Sequence, residues 1–102
     1  MTIKAQTNFE NMRTIYKYQF QVNDFLEINL PVDSKVLTVQ MQNDVPSIWV
    51  EQDPEREKYK QKFAIFGTGQ NMGRADGYGT LEYVGTFQMN DGGLVFHLYK
   101  IN

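Results

Sequence analysis

Apolar and polar residues alternate with a period of two through most of this chain, which predicts strands. In residues 14–22, Tyr16, Tyr18, Phe20 and Val22 fall on one face, with Lys17, Gln19 and Gln21 on the other. Leu26, Ile28 and Leu30 then alternate with Glu27 and Asn29. Pro31 ends that run, because it has no amide to give to a ladder, and residues 31–34 turn the chain. In residues 36–42, Leu37, Val39 and Met41 are expected on the core face, with Thr38, Gln40 and Gln42 opposite. Asn43-Asp44 predicts a turn into a strand containing Ile48-Trp49-Val50. Residues 61–66, 81–89 and 94–101 complete the strands, and Asn90-Asp91-Gly92-Gly93 joins the last two as a hairpin.

One stretch, residues 54–60, reads as helical. Asp53 suits a cap and Pro54 a first helical position. The opposite charges of Glu55, Arg56, Glu57, Lys58 and Lys60 sit close together and read as a water-facing connector. The expected fold is all-β: an antiparallel sandwich or small barrel of about seven short strands, with one short helical turn near residues 54–60. Residues 1–12 are mostly polar with a single aromatic, Phe9, and read as an N-terminal arm before one β domain at 13–102.

Composition narrows the function classes. A chain of 102 residues has room for one core. Ten basic residues are mixed along the chain with twelve acidic ones, for a net charge of −2. Duplex nucleic acid, which needs clustered cations, is therefore not the expected partner. A small anionic ligand needs only one or two cations and some backbone amides. The absence of cysteine removes disulfides, thiolate metal sites and cysteine nucleophiles, and favours an intracellular home. No apolar run reaches membrane-span length, so no membrane partner is expected.

Candidate chemistry is sparse. The single histidine, His97, lies within the last strand, in phase with Val95, Tyr99 and Ile101. It reads as a half-buried strand histidine bonded to a neighbour rather than as a catalytic base. One histidine without cysteine makes a metal site unexpected, and no cofactor is implied. Ser34 and Ser47 lack a glycine elbow. Glu51, Asp53, Asp76 and Glu82 are carboxylates at turns and strand ends; they could meet in space, but solvated acids normally sit at such places.

Residues 67–80 form a long glycine-rich segment, and such segments often bind something. Gly67-Thr68-Gly69 has two readings. It is either a corner where glycine permits positive φ, or a nest of amides that receives a phosphate or carboxylate with the Thr68 hydroxyl and Arg74. Trp49 faces away from Ile48 and Val50 and shares a face with Glu51. It or Tyr78 could stack on a base. Unpaired sheet edges make a homo-oligomer a reasonable expectation, with the N-terminal arm and Leu98, Tyr99 and Ile101 as the segments that would pair.

Several ordered pieces together resemble a family of small β-domain proteins encoded by bacteriophages and prophages. They are Ile15-Tyr16-Lys17-Tyr18, Val36-Leu37-Thr38-Val39-Gln40, Ile48-Trp49-Val50-Glu51-Gln52-Asp53-Pro54, Phe66-Gly67-Thr68-Gly69, Tyr83-Val84-Gly85-Thr86-Phe87 and Leu94-Val95-Phe96-His97-Leu98. Members often carry His-Pro after the Gly-Thr-Gly, where this chain has Gln70-Asn71. The resemblance implies a phage accessory protein working in the cytoplasm of a host bacterium, and it implies no reaction. The expectation is a non-enzymatic counter-defence protein that sequesters a small nucleotide-like signal through Gly67, Thr68, Gly69 and Arg74, with Tyr78 or Trp49 stacking. The alternatives are an inhibitor that binds a host defence enzyme, and a minor virion or assembly protein.

Overall fold

The structure, a computed structural model, describes residues 12–73 and 79–102. Among these residues the fold is all-β, a sandwich of two antiparallel sheets without a helix. The strands are β1 (Thr14–Gln19), β2 (Phe25–Pro31), β3 (Lys35–Gln42), β4 (Val45–Gln52), β5 (Lys58–Gly67), β6 (Leu81–Met89) and β7 (Leu94–Ile101). One sheet has the order β1-β4-β3, the other β2-β5-β7-β6. Phe20, Leu30, Val39, Ile48, Val50, Phe63, Ile65, Phe87 and Leu98 fill the space between them.

Local turn chemistry accounts for the connections. Asn43 and Asp44 both take left-handed backbone, with φ of 51° and 66°. That matches the two-residue hairpin turn whose twist suits paired strands. Between β6 and β7 the loop is four residues, 90–93, and Asn90, Asp91 and Gly92 are all left-handed, with φ of 54°, 55° and 89°. These residue types tolerate that region better than most.

The helical expectation at residues 54–60 is corrected. Residues 54–56 make only a turn, in which Asp53 Oδ1 accepts from the Glu55 amide at 3.0 Å and Asp53 O from the Arg56 amide at 3.1 Å. From Lys58 onward the chain is strand, with Lys58, Tyr59 and Lys60 opposite Pro31, Leu30 and Asn29. So short a helix is marginal alone, and a ladder to β2 satisfies the same amides.

Two further expectations change, one through register and one through position at a sheet edge. A bulge in β3 between Val36 and Thr38 leaves Val36 opposite Val50 and Thr38 opposite Trp49. Val36 takes the core side, and Leu37, the extra residue, is 38% exposed. Tyr16 does lie opposite buried Val50, but it is 42% exposed because β1 is an edge strand.

Tyr59 gives the fold one alkaline sensitivity. Its hydroxyl donates to Gln61 Oε1 at 2.7 Å. Burial, and secondarily the negative charge of Asp33, push its phenol above the ordinary 10.0. The unfolded chain then ionises at this position first, so stability is full below pH 10.0 and falls as the pH rises through the folded value. Urea midpoints measured across that range should decline with pH, and Tyr59→Phe should flatten the decline. An unchanged slope in the variant would show that other groups cause it.

Candidate functional site on the outer face of the four-stranded sheet

Directly opposed residues of an antiparallel ladder share a face. Phe66 and Thr86 flank His97 from the two sides, and Ala64 and Tyr83 flank Tyr99. Phe63, Ile65, Phe87 and Leu98 point into the core, so this set points outward. The outer face carries its own small apolar cluster, with Ala64 and Phe66 buried and Leu81, Tyr99 and Ile101 packed on them. The Phe66 and Tyr99 rings meet edge-on at 5.8 Å, and the Tyr83 and Tyr99 rings at 5.5 Å.

A chain of four polar side chains crosses this face. Tyr83 Oη lies 2.6 Å from Thr86 Oγ1. Thr86 Oγ1 lies 2.9 Å from His97 Nδ1, and His97 Nε2 lies 2.8 Å from Thr68 Oγ1. Tyr83 and Thr86 are three residues apart, which in a regular strand would put them on opposite faces. A bulge between Tyr83 and Gly85 brings them to the same one. The ring tautomer sets the proton arrangement. With Nε2–H donating to Thr68, Thr86 donates to Nδ1 and Tyr83 to Thr86; with Nδ1–H donating to Thr86, Thr68 donates to Nε2 and the Tyr83–Thr86 bond runs either way. His97 is thus a half-buried strand histidine bonded to its neighbours, held between two hydroxyls with no carboxylate on either ring nitrogen.

The glycine corner supplies the end of this chain. The Gln70 amide donates to Gly67 O at 3.0 Å and Gly69 has φ +89°, as at the third position of a type II turn. The Thr68 amide donates to Val95 O at 3.1 Å, which holds the turn against β7 and aims the Thr68 hydroxyl at His97. The Gly67 amide is taken by Gln70 Oε1 at 2.9 Å. A nest using the amides of both Gly67 and Gly69 is therefore not formed here. The positive-φ corner explains Gly69, and Thr68 contributes its hydroxyl.

The other expected site residues are dispersed. Trp49 lies opposite Lys17 and Thr38 in the three-stranded sheet and faces away from Ile48 and Val50. It stands on the reverse of the sandwich from His97, so it does not join Thr68. Arg74 and Tyr78 lie outside the described residues, as do Asp76 and residues 1–11 of the N-terminal arm. The carboxylates are spread across the fold: Glu51 accepts from Arg13 Nε at 2.9 Å, Asp53 caps its turn, and Glu82 accepts from Asn102 Nδ2 at 3.0 Å on the other sheet. Among the described residues no three His, Asp or Glu side chains converge as metal ligands.

Beside the apolar cluster runs a groove of about 640 Å³ lined by Phe25, Leu26, Glu27, Lys62, Phe63 and Ile101. Its volume is in the range of small-molecule sites. Ile101 belongs to both features, so groove, aromatic rings and polar chain form one surface.

Sequence reading missed Tyr83 and Thr86 as partners of His97. The available signal was Gly85, since glycine within a strand often marks a bulge. No curated protein and no solved structure matches this chain. A family model does match, over residues 12–102, and the chain belongs to that family, which is described as "Domain of unknown function (DUF7352)".

Proposed function

We propose that this chain is a non-catalytic binding protein whose ligand face is the outer face of the four-stranded sheet. The ligand is a small nucleotide-like signal, and the setting is phage counter-defence in the cytoplasm of a host bacterium. The observation that carries this reading is the exposed Tyr83–Thr86–His97–Thr68 chain beside the Tyr83, Tyr99 and Phe66 rings. Aromatic faces stack on any base, and the neighbouring hydroxyls and imidazole donate or accept as the ligand demands. Lys62 in the adjoining groove offers a cation to an anionic group.

The same chain argues for binding over turnover. A base that activates a hydroxyl is normally oriented by a group that stabilises its protonated form. At His97 that position is held by the neutral Thr86 hydroxyl. The phage setting rests on the ordered residue pieces described above.

Isothermal titration calorimetry against a panel of cyclic and linear nucleotides tests the reading. We expect saturable binding by at least one member and no change in the nucleotide on prolonged incubation. Stacking contributes roughly 1–3 kcal/mol per base, so Tyr83→Ala should weaken binding by roughly 5- to 150-fold, and His97→Ala should weaken it too. No heat across the panel would end the nucleotide reading. A second reading, inhibition of a host defence enzyme through the same face, is favoured by the 56% exposure of Tyr83 next to an apolar cluster. Recovery of one stoichiometric host protein, lost in Tyr83→Ala, would support it.

A further inference from the structure

Each sheet has two edges, and three of the four strand edges are protected. β3 and β6 cover one another: both are bulged, and a Cβ built on Gly85 would lie 2.8 Å from Val39 Cγ1. β2 ends in Pro31, and because the next residue, Val32, donates inward to Glu57 O at 2.8 Å, alternation turns the Pro31 position outward, where it has no amide to donate. β1 has none of these devices. It is regular over six residues, contains no proline or glycine, exposes Ile15 at 57%, and has only β4 beside it among the described residues. Natural sheets block such edges or use them for pairing. The expected pairing through Leu98, Tyr99 and Ile101 is corrected here, because β7 lies between β5 and β6 and Leu98 is in the core.

We propose that β1 pairs with β1 of a second copy of this chain, antiparallel about a two-fold axis through Tyr16. The proposal is independent of the ligand reading. Its register follows from backbone alternation and charge. The Phe20 amide donates to Pro46 O at 3.0 Å, continuing the register in which Gln19 faces Ser47. The peptide groups of even-numbered residues therefore point at β4, and those of Ile15 and Lys17 point outward. Keeping both sheet faces intact requires residue numbers of equal parity to pair. Centring on Lys17 opposes two ammonium groups, and centring on Ile15 puts Lys17 against Arg13. Centring on Tyr16 pairs Ile15 with Lys17, Thr14 with Tyr18, and Tyr16 with its own copy. That arrangement opposes no like charges, and its central aromatic pair falls at a close, non-hydrogen-bonded position, where side chains interact best. The two three-stranded sheets then form one continuous sheet.

Because the chain has no cysteine, introduced thiols report this register directly. In a non-hydrogen-bonded pair the Cα atoms lie roughly 4.5 Å apart, within disulfide range. Tyr16→Cys should form a covalent dimer under mild oxidation. Ile15→Cys alone and Lys17→Cys alone should not, while their equimolar mixture should cross-link. In sedimentation velocity the natural sequence should be dimeric, and Tyr16→Lys should raise the dissociation constant at least about tenfold through facing like charges with its circular dichroism unchanged. A natural sequence that stays monomeric into the high micromolar range overturns the proposal. So does a Tyr16→Cys variant that folds but fails to cross-link, or self-cross-linking of Lys17→Cys in preference to it.

Discussion

Phe63→Ala should be the most damaging single truncation in this domain, at a cost of about 3–5 kcal/mol. Phe63 is fully buried on β5, between Leu26 of β2 and Lys100 of β7, and it packs into the cluster that joins the sheets. Its removal takes away both the transfer free energy of a large ring and the contacts of the cavity left behind. Strands on both sides hold β5 in register, so the space can close only partly. Domains of this size are stable by only about 5–15 kcal/mol, so the variant should lose about a fifth or more of its stability. Urea unfolding followed by tryptophan fluorescence from Trp49 reads the effect as a lower midpoint at unchanged slope. A loss below about 1 kcal/mol would mean that the core is centred elsewhere.

Gly85→Ala should destabilise by about 1–3 kcal/mol, through the opposite fault of overpacking. The added Cβ would stand 2.8 Å from Val39 Cγ1, with the Val39 amide nitrogen and carbonyl oxygen at 3.8 and 3.9 Å. Val39 belongs to the buried cluster and cannot swing out to make room. The edge strands β3 and β6 would have to separate at the seam where the sheets meet. Val39→Ala removes the clashing methyls, so the double variant should be more stable than the sum of the single losses predicts. Strict additivity would show that the seam is loose enough to absorb a methyl group. Because the bulge at this glycine also brings Tyr83 to Thr86, Gly85→Ala should disturb the polar chain on the outer face as well as the fold.

Much of the fold was legible because period-two alternation and turn residues are local properties. Asn43-Asp44 and the Asn90 turn adopt the left-handed backbone that their residue types tolerate, and they set two hairpins. The helical reading of residues 54–60 failed because opposite-sign charges and a capping Asp are equally compatible with a turn, and the partner strand β2 lies far off in sequence. The candidate site was legible in part. Thr68 and His97 could be singled out, but a separation of 29 residues hid their contact. Trp49 could be placed on the face away from Ile48, yet nothing local showed that this face is the reverse of the one carrying His97.

By itself, the order of residues determined an all-β domain, its turns, and a side-chain inventory with one histidine and no cysteine. These follow from side-chain type and from alternation within a few residues. Only the tertiary structure decided which strands are neighbours, where the bulges fall, and that Thr68, Thr86 and Tyr83 gather around one imidazole. Such outcomes depend on the register between strands distant in the chain. A shift of one residue turns every side chain to the opposite face, and it is the packing of the whole core that selects among those registers.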